Sequence, residues 1–165
     1  LKVLLATDGS AHANAALNAV LGRAWPLGTA LRILSVSHPI PLIPDPLLFG
    51  AAMHHESVER VAKQADQIVA AAAEEAHQRA PGLRVSTVTR EGSPRKLIVL
   101  EAKRWKADLV VVGAEGHSAL RQFLLGSVAH TVALHAPCSV EIVRAPTSAL
   151  RSNVRPAALR ARRSL

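Results

Sequence analysis

Short, nearly continuous apolar runs along this chain alternate with longer stretches in which apolar residues recur every three or four positions. Lys2 to Thr7 is the first run, as expected of a parallel strand buried on both faces. Asp8-Gly9-Ser10 offers a turn and a helix cap. Ala13, Leu17, Val20, Leu21 and Ala24 then follow at helical spacing until Pro26 and Gly28. Ala30 to Ser37 predicts a second strand. Residues 38–53 carry Pro39, Pro41, Pro44 and Pro46 and predict a loop.

The longest helix is predicted from about Glu56 to Arg79, with Val58, Val61, Ala65, Ile68, Ala72 and Ala76 on one stripe and Pro81-Gly82 as its stop. Arg84 to Arg90 alternates as a less buried strand near a sheet edge would. Gly92-Ser93-Pro94 starts a third helix, carried on by Leu97, Ile98, Glu101 and Trp105. Asp108 opens a fourth strand. A helix over about residues 127–135 ends at Ala136-Pro137, and Cys138 to Arg144 is the fifth strand. Strict strand–helix alternation predicts a single α/β domain over residues 1–144, built on one parallel sheet with right-handed crossovers.

Composition changes this picture in three ways. With two Phe, two Trp and no Tyr, the core must be aliphatic. The single Cys138 leaves no intramolecular disulfide, which fits a cytoplasmic protein. The net charge of +8 suggests nucleic acid until it is located. Residues 145–165 hold five arginines and no acid, against fifteen basic and twelve acidic side chains in residues 1–144. The excess therefore sits in a basic, flexible tail. The body lacks aromatic residues for stacking on bases, so nucleic acid is expected to bind weakly if at all, through the tail. No apolar run reaches the ~18–20 residues of a membrane span.

The chemistry concentrates after the fourth strand. Leu109-Val-Val-Val112 runs into Gly113-Ala-Glu-Gly116-His-Ser-Ala-Leu-Arg-Gln-Phe-Leu-Leu-Gly126-Ser127, where a helix begins. Glycines let the backbone approach an anion, and a helix start presents free N–H groups and a partial positive charge. The pattern is that of a phosphate cradle. Basic support within it is limited to His117 and Arg121, and Glu115 is expected to point to solvent, away from phosphates. Other constellations are weaker. The eight histidines show no zinc-motif spacing. Asp8, Ser10 and His12 include triad residue types without a nucleophile elbow. Neither a Walker-type loop nor a Gly-x-Gly-x-x-Gly fingerprint is present.

These segments resemble the universal stress protein family over essentially all of residues 2–144. The resemblance rests on Ala6-Thr7-Asp8-Gly9-Ser10, Ile33-Leu34-Ser35-Val36-Ser37, Glu91-Gly92-Ser93-Pro94, the glycine loop through Gly126-Ser127-Val128, and His135-Ala136-Pro137-Cys138-Ser139-Val140. It implies a Rossmann-like, adenine nucleotide hydrolase-like domain whose five parallel strands run in the order 3-2-1-4-5, with helices on both faces. It also implies a homodimer, for which the fifth strand with Val140 and Ile142 is the candidate interface.

The three-glycine spacing is similar to that of the family's ATP-binding branch. The resemblance then implies cofactor-binding positions at Ala6, Asp8, Val36, Gly113, Gly116, His117, Gly126, Ser127 and Val128. Asp8 would serve ribose or a Mg²⁺ or Mn²⁺ ion, and the Val36 backbone the adenine edge. Gly113 and Gly116 would line ribose and the first phosphates, with Gly126 and Ser127 at the terminal ones. The expected function is an ATP-binding stress-response module that holds its nucleotide. A slow metal-dependent ATPase or phosphotransferase is the alternative, and a nucleotide-free scaffold acting through the arginine tail is a second. Phosphoryl transfer needs a positive group at the transition state, and the loop contains no lysine.

Overall fold

The computed structural model describes residues 1–37, 51–116 and 125–146, with the backbone alone for residues 51–58. In chain order the elements are β1 (Lys2–Ala6), α1 (Ala11–Leu21), β2 (Ala30–Ser37), α2 (Ala51–Arg79), β3 (Arg84–Glu91), α3 (Pro94–Trp105), β4 (Leu109–Gly113), α4 (Ser127–His135) and β5 (Ser139–Val143). The expected alternation is present throughout. One boundary differs: α2 starts at Ala51, five residues before the expected Glu56. The prolines end at Pro46, and Ala51-Ala52-Met53 are good helix formers, so helix propagates back into them. The remaining residues of the proline-rich stretch, 38–50, lie outside the described residues, as do 147–165 of the tail.

All strand pairs are parallel, in the order β3-β2-β1-β4-β5. In the middle of the sheet Val3 pairs with Leu31 on one side and Leu109 on the other. Because strand side chains alternate between faces, β1 feeds two cores. Val3 and Leu5 join Ile33, Val111, Leu17 and Val20 of α1, and Val69 and Ala72 of α2. Leu4 and Ala6 join Leu34, Val110 and Val112 with Ile98 of α3 and Val132 of α4. Helices thus cover both faces. The α2 stripe is rotated slightly from expectation, since Val69 is buried and Ile68 only half-buried against Gly9.

Local signals account for the helix starts. The Ser10 hydroxyl accepts from the Ala13 N–H at 3.3 Å, capping α1. Pro94 occupies the first turn of α3 after Ser93. A charged residue on the inner stripe of α3, Glu101, is satisfied from the neighbouring strands. Its carboxylate accepts from Arg32 at 2.8 Å and has Arg90 at 3.6 Å. The Arg32 guanidinium also lies over Trp105, 4.5 Å from the ring centre. Among the described residues no helix is long and apolar enough to cross a membrane.

Cys138, just before β5, packs against the α3–α4 core, and burial, reinforced by the Asp108 carboxylate, pushes its thiol pKa up. Less thiolate at neutral pH means slower alkylation. Iodoacetamide should therefore label the folded chain more slowly than the urea-unfolded chain at pH 7.5, by mass spectrometry; equal rates would refute this.

Candidate functional site

Connections leave β1 and β4 in opposite directions, one toward β2 and the other toward β5, so the carboxyl ends of these two strands flank a topological switch point. Ligands of open α/β sheets bind at such points. Here a cleft of about 860 Å³ opens there, within the size range of small-molecule sites. Its walls are the ends of β1, β2 and β4, the glycine loop, and the first turns of α3 and α4.

Ala6, Asp8, Val36, Gly113, Gly116, Gly126, Ser127 and Val128 all line this cleft. His117 lies outside the described residues, as does Arg121. The Asp8 carboxylate accepts from the Ser10 N–H at 3.0 Å through Oδ1, closing a turn of the kind aspartate favours. Its Oδ2 faces Gly116. Capping of α1 belongs to Ser10, so Asp8 is left to face the cleft. For Val36 the backbone is the relevant part. The Leu34 carbonyl accepts from the Thr7 N–H at 2.9 Å, so Leu34 turns its backbone groups toward β1. Strand period places those of Val36 on the same side, past the end of β1 and over the cleft.

The three glycines have a cause inside the fold. A Cβ on Gly113 would sit 2.7 Å from the His12 carbonyl carbon and the Ala13 nitrogen, in the first turn of α1. On Gly116 it would sit 2.7 Å from Asp8 Oδ2, and on Gly126 3.0 Å from the Ala114 carbonyl oxygen. The loop is also pinned at both ends. The Gly126 N–H donates to the Ala114 carbonyl at 2.8 Å, and the Ala114 N–H donates to the Val143 carbonyl at 2.7 Å. Gly126 caps α4 without a side-chain hydrogen bond, and Ser93 caps α3 likewise, so two helix starts face the cleft with first-turn N–H groups that no cap side chain covers.

Glu115 overturns the expectation that it points to solvent. It is only 9% exposed, lines the cleft, and has His12 Nε2 at 3.9 Å and Arg144 at 4.0 Å. Two basic groups from α1 and from the end of β5 make burial tolerable. His12 is itself buried, and its Nδ1 accepts from the Ala145 N–H at 2.9 Å. Sequence reasoning also missed Ser93, Pro94, Arg95 and Lys96, which line the cleft at the start of α3. A signal existed. Every helix after a parallel strand begins at the sheet's carboxyl edge, so Gly92-Ser93-Pro94 already placed Arg95 and Lys96 beside the switch point.

A doubly wound parallel sheet with a cleft at its switch point defines a Rossmann-like α/β protein. The chain belongs to the universal stress protein family, whose sequence profile matches residues 1–144. It is similar to a universal stress protein of Thermus aquaticus, 33% identical over 148 residues, covering 86% of this chain and 97% of the relative. Among solved structures it resembles universal stress protein UspA from Lactobacillus plantarum (TM-score 0.72, 25% identity, 87% of this chain and 97% of the other). A family structure from Arabidopsis thaliana with AMP bound shares the fold at TM-score 0.61 and 19% identity, over 89% of this chain and 93% of that one. A universal stress protein in complex with cAMP matches with TM-score 0.52 and 26% identity, over 88% and 97% respectively.

The backbone atoms that crowd Gly113 cannot swing aside as a side chain would. Gly113→Ala should therefore destabilise the fold itself by about 2–3 kcal/mol, the cost of overpacking. Urea denaturation without nucleotide measures it, and an unchanged midpoint would contradict the packing role.

Proposed function

We propose that this chain is an adenine-nucleotide-binding universal stress protein whose ligand is ATP, held as a regulatory signal in the cytoplasm. The observation that carries the reading is the switch-point cleft, where eight of the nine positions implied by the family resemblance come together. The related structure in complex with cAMP supports the adenine-nucleotide class. In this reading Val36 offers its backbone to adenine, Asp8 meets ribose or a phosphate-bound metal, and Gly126-Ser127 opens α4 onto the terminal phosphates. Arg95 and Lys96 provide positive charge from across the cleft.

The side chains fit a Mg²⁺ or Mn²⁺ ion that arrives with the nucleotide. Among the described residues no group of three or more His, Cys, Asp or Glu gathers as a cation cage. Asp8 and the Ser127 hydroxyl line the cleft instead, and Mg²⁺ characteristically takes one or two protein ligands and fills the rest from phosphate and water. Lys96 also gives the slow ATPase or phosphotransferase reading a cation that the glycine loop lacks. Sustained metal-dependent phosphate release, abolished by Asp8→Ala, would favour that second reading. The body of the fold forms the nucleotide module and residues 145–165 a basic extension. β5 is a sheet edge, paired only with β4 among the described strands, so a twofold mate can add there.

Calorimetry with ATP should show saturable binding, and gentle purification should retain adenine nucleotide detectable by mass spectrometry. No heat and no ATP-induced thermal shift would sink the proposal. Lys96→Ala should weaken ATP about fivefold, the ~1 kcal/mol of an exposed charge contact, and leave adenosine unaffected. Sedimentation at micromolar concentration should give the mass of a dimer; a monomer mass would remove the β5 interface.

A further inference from the structure

The wall of the cleft contains a charge pair that the reading above does not use. Glu115 lies in the loop after β4, and its carboxylate is buried yet lines the cleft. Arg144 follows β5, its side chain 54% exposed, with Nη1 4.0 Å from Glu115 Oε1. That separation lies beyond hydrogen-bond range, where a tight guanidinium–carboxylate contact would be ~2.7–2.9 Å. The pair is loose. The backbone beside it is not, because the Ala145 N–H donates to His12 Nδ1 at 2.9 Å and the Val143 carbonyl accepts from the Ala114 N–H at 2.7 Å. Arg144 is thus a long, half-exposed cation on a backbone fixed at both neighbours, next to a carboxylate that a polyphosphate would repel.

We propose that Arg144 is a specificity-determining residue of the nucleotide cleft. It pairs loosely with Glu115 in the empty site and transfers its guanidinium to the β- and γ-phosphates when a nucleoside polyphosphate enters. The inference rests on the adenine-nucleotide reading and sharpens it to the number of phosphates. Glu115 holds the guanidinium beside the phosphate end and also sets a threshold. An anion must outcompete the carboxylate for Arg144, which a triphosphate with its several charged oxygens does better than a monophosphate. A guanidinium suits this task because its planar fork can take two phosphate oxygens at once. His12 is a positioning residue, fixing the chain one residue past Arg144.

Calorimetry with ATP and AMP on the full chain and its variants tests this. Arg144→Ala should weaken ATP about tenfold and change AMP less than twofold, while Arg144→Lys should recover part of the loss because it keeps the charge without the fork. Glu115→Gln should strengthen ATP, since it removes both the competing partner and the repulsion. Equal losses for ATP and AMP in Arg144→Ala, or no loss, would overturn the proposal while leaving the adenine-nucleotide reading intact. A wild-type chain that binds neither nucleotide would remove both.

Discussion

The carboxyl edge of this sheet depends on how closely the end of β4 can approach the first turn of α1. At Gly113 the two backbones meet with no room for a side chain, a Cβ there falling 2.7 Å from both His12 and Ala13. That contact places the N-terminus of α1, and with it Asp8 and Ser10, beside the loop that leaves β4. The next two glycines repeat the constraint, Gly116 against Asp8 and Gly126 against Ala114. The spacing that reads as a phosphate cradle is therefore first a packing requirement. What makes it a cradle is where the packed loop lies: at the switch point, facing two helix starts that no side chain caps.

The same contact explains why the site is tied to the core. β1 supplies Val3 and Leu5 to one core and Leu4 and Ala6 to the other, and the cleft opens where that double burial stops. Thr7 still bonds the Leu34 carbonyl, after which the chain turns through Gly9, whose positive φ of 77° suits glycine. Beyond that turn β2 continues alone past β1, which leaves Val36 and its backbone at the cleft. The site is the place where one central strand ends before its neighbour.

Most of the fold was legible in the sequence because its causes are local. The aliphatic run of β4, Pro94 at the start of α3 and the alternation of β3 each act within a few residues. The start of α2 was misplaced because the prolines before it mask helix formers that follow them. In the site, Asp8 and the glycines were legible because they stand next to strand ends in the chain. The burial of Glu115 was not. Its compensating groups, His12 and Arg144, lie 103 and 29 residues away, and only the pairing of β4 with β1 and β5 brings them near. Arg95 and Lys96 were overlooked for a different reason. Positive charge was sought within the glycine loop, whereas the fold supplies it from the next helix.

That source of charge also bears on what the cleft does with a nucleotide. A phosphate cradle built from backbone N–H groups binds anions without changing its own protonation, and it serves the ground state as well as the transition state. Turnover requires a cation or metal whose interaction strengthens as charge shifts onto the leaving oxygen. Here the cations hang from exposed side chains at the rim, and two carboxylates, Asp8 and Glu115, line the wall. Rim charges are screened by water and ions, so they add affinity and discriminate between ligands more than they lower a barrier. In the proposed reading, the arrangement of glycines, helix starts and rim arginines favours holding a polyphosphate over cleaving one.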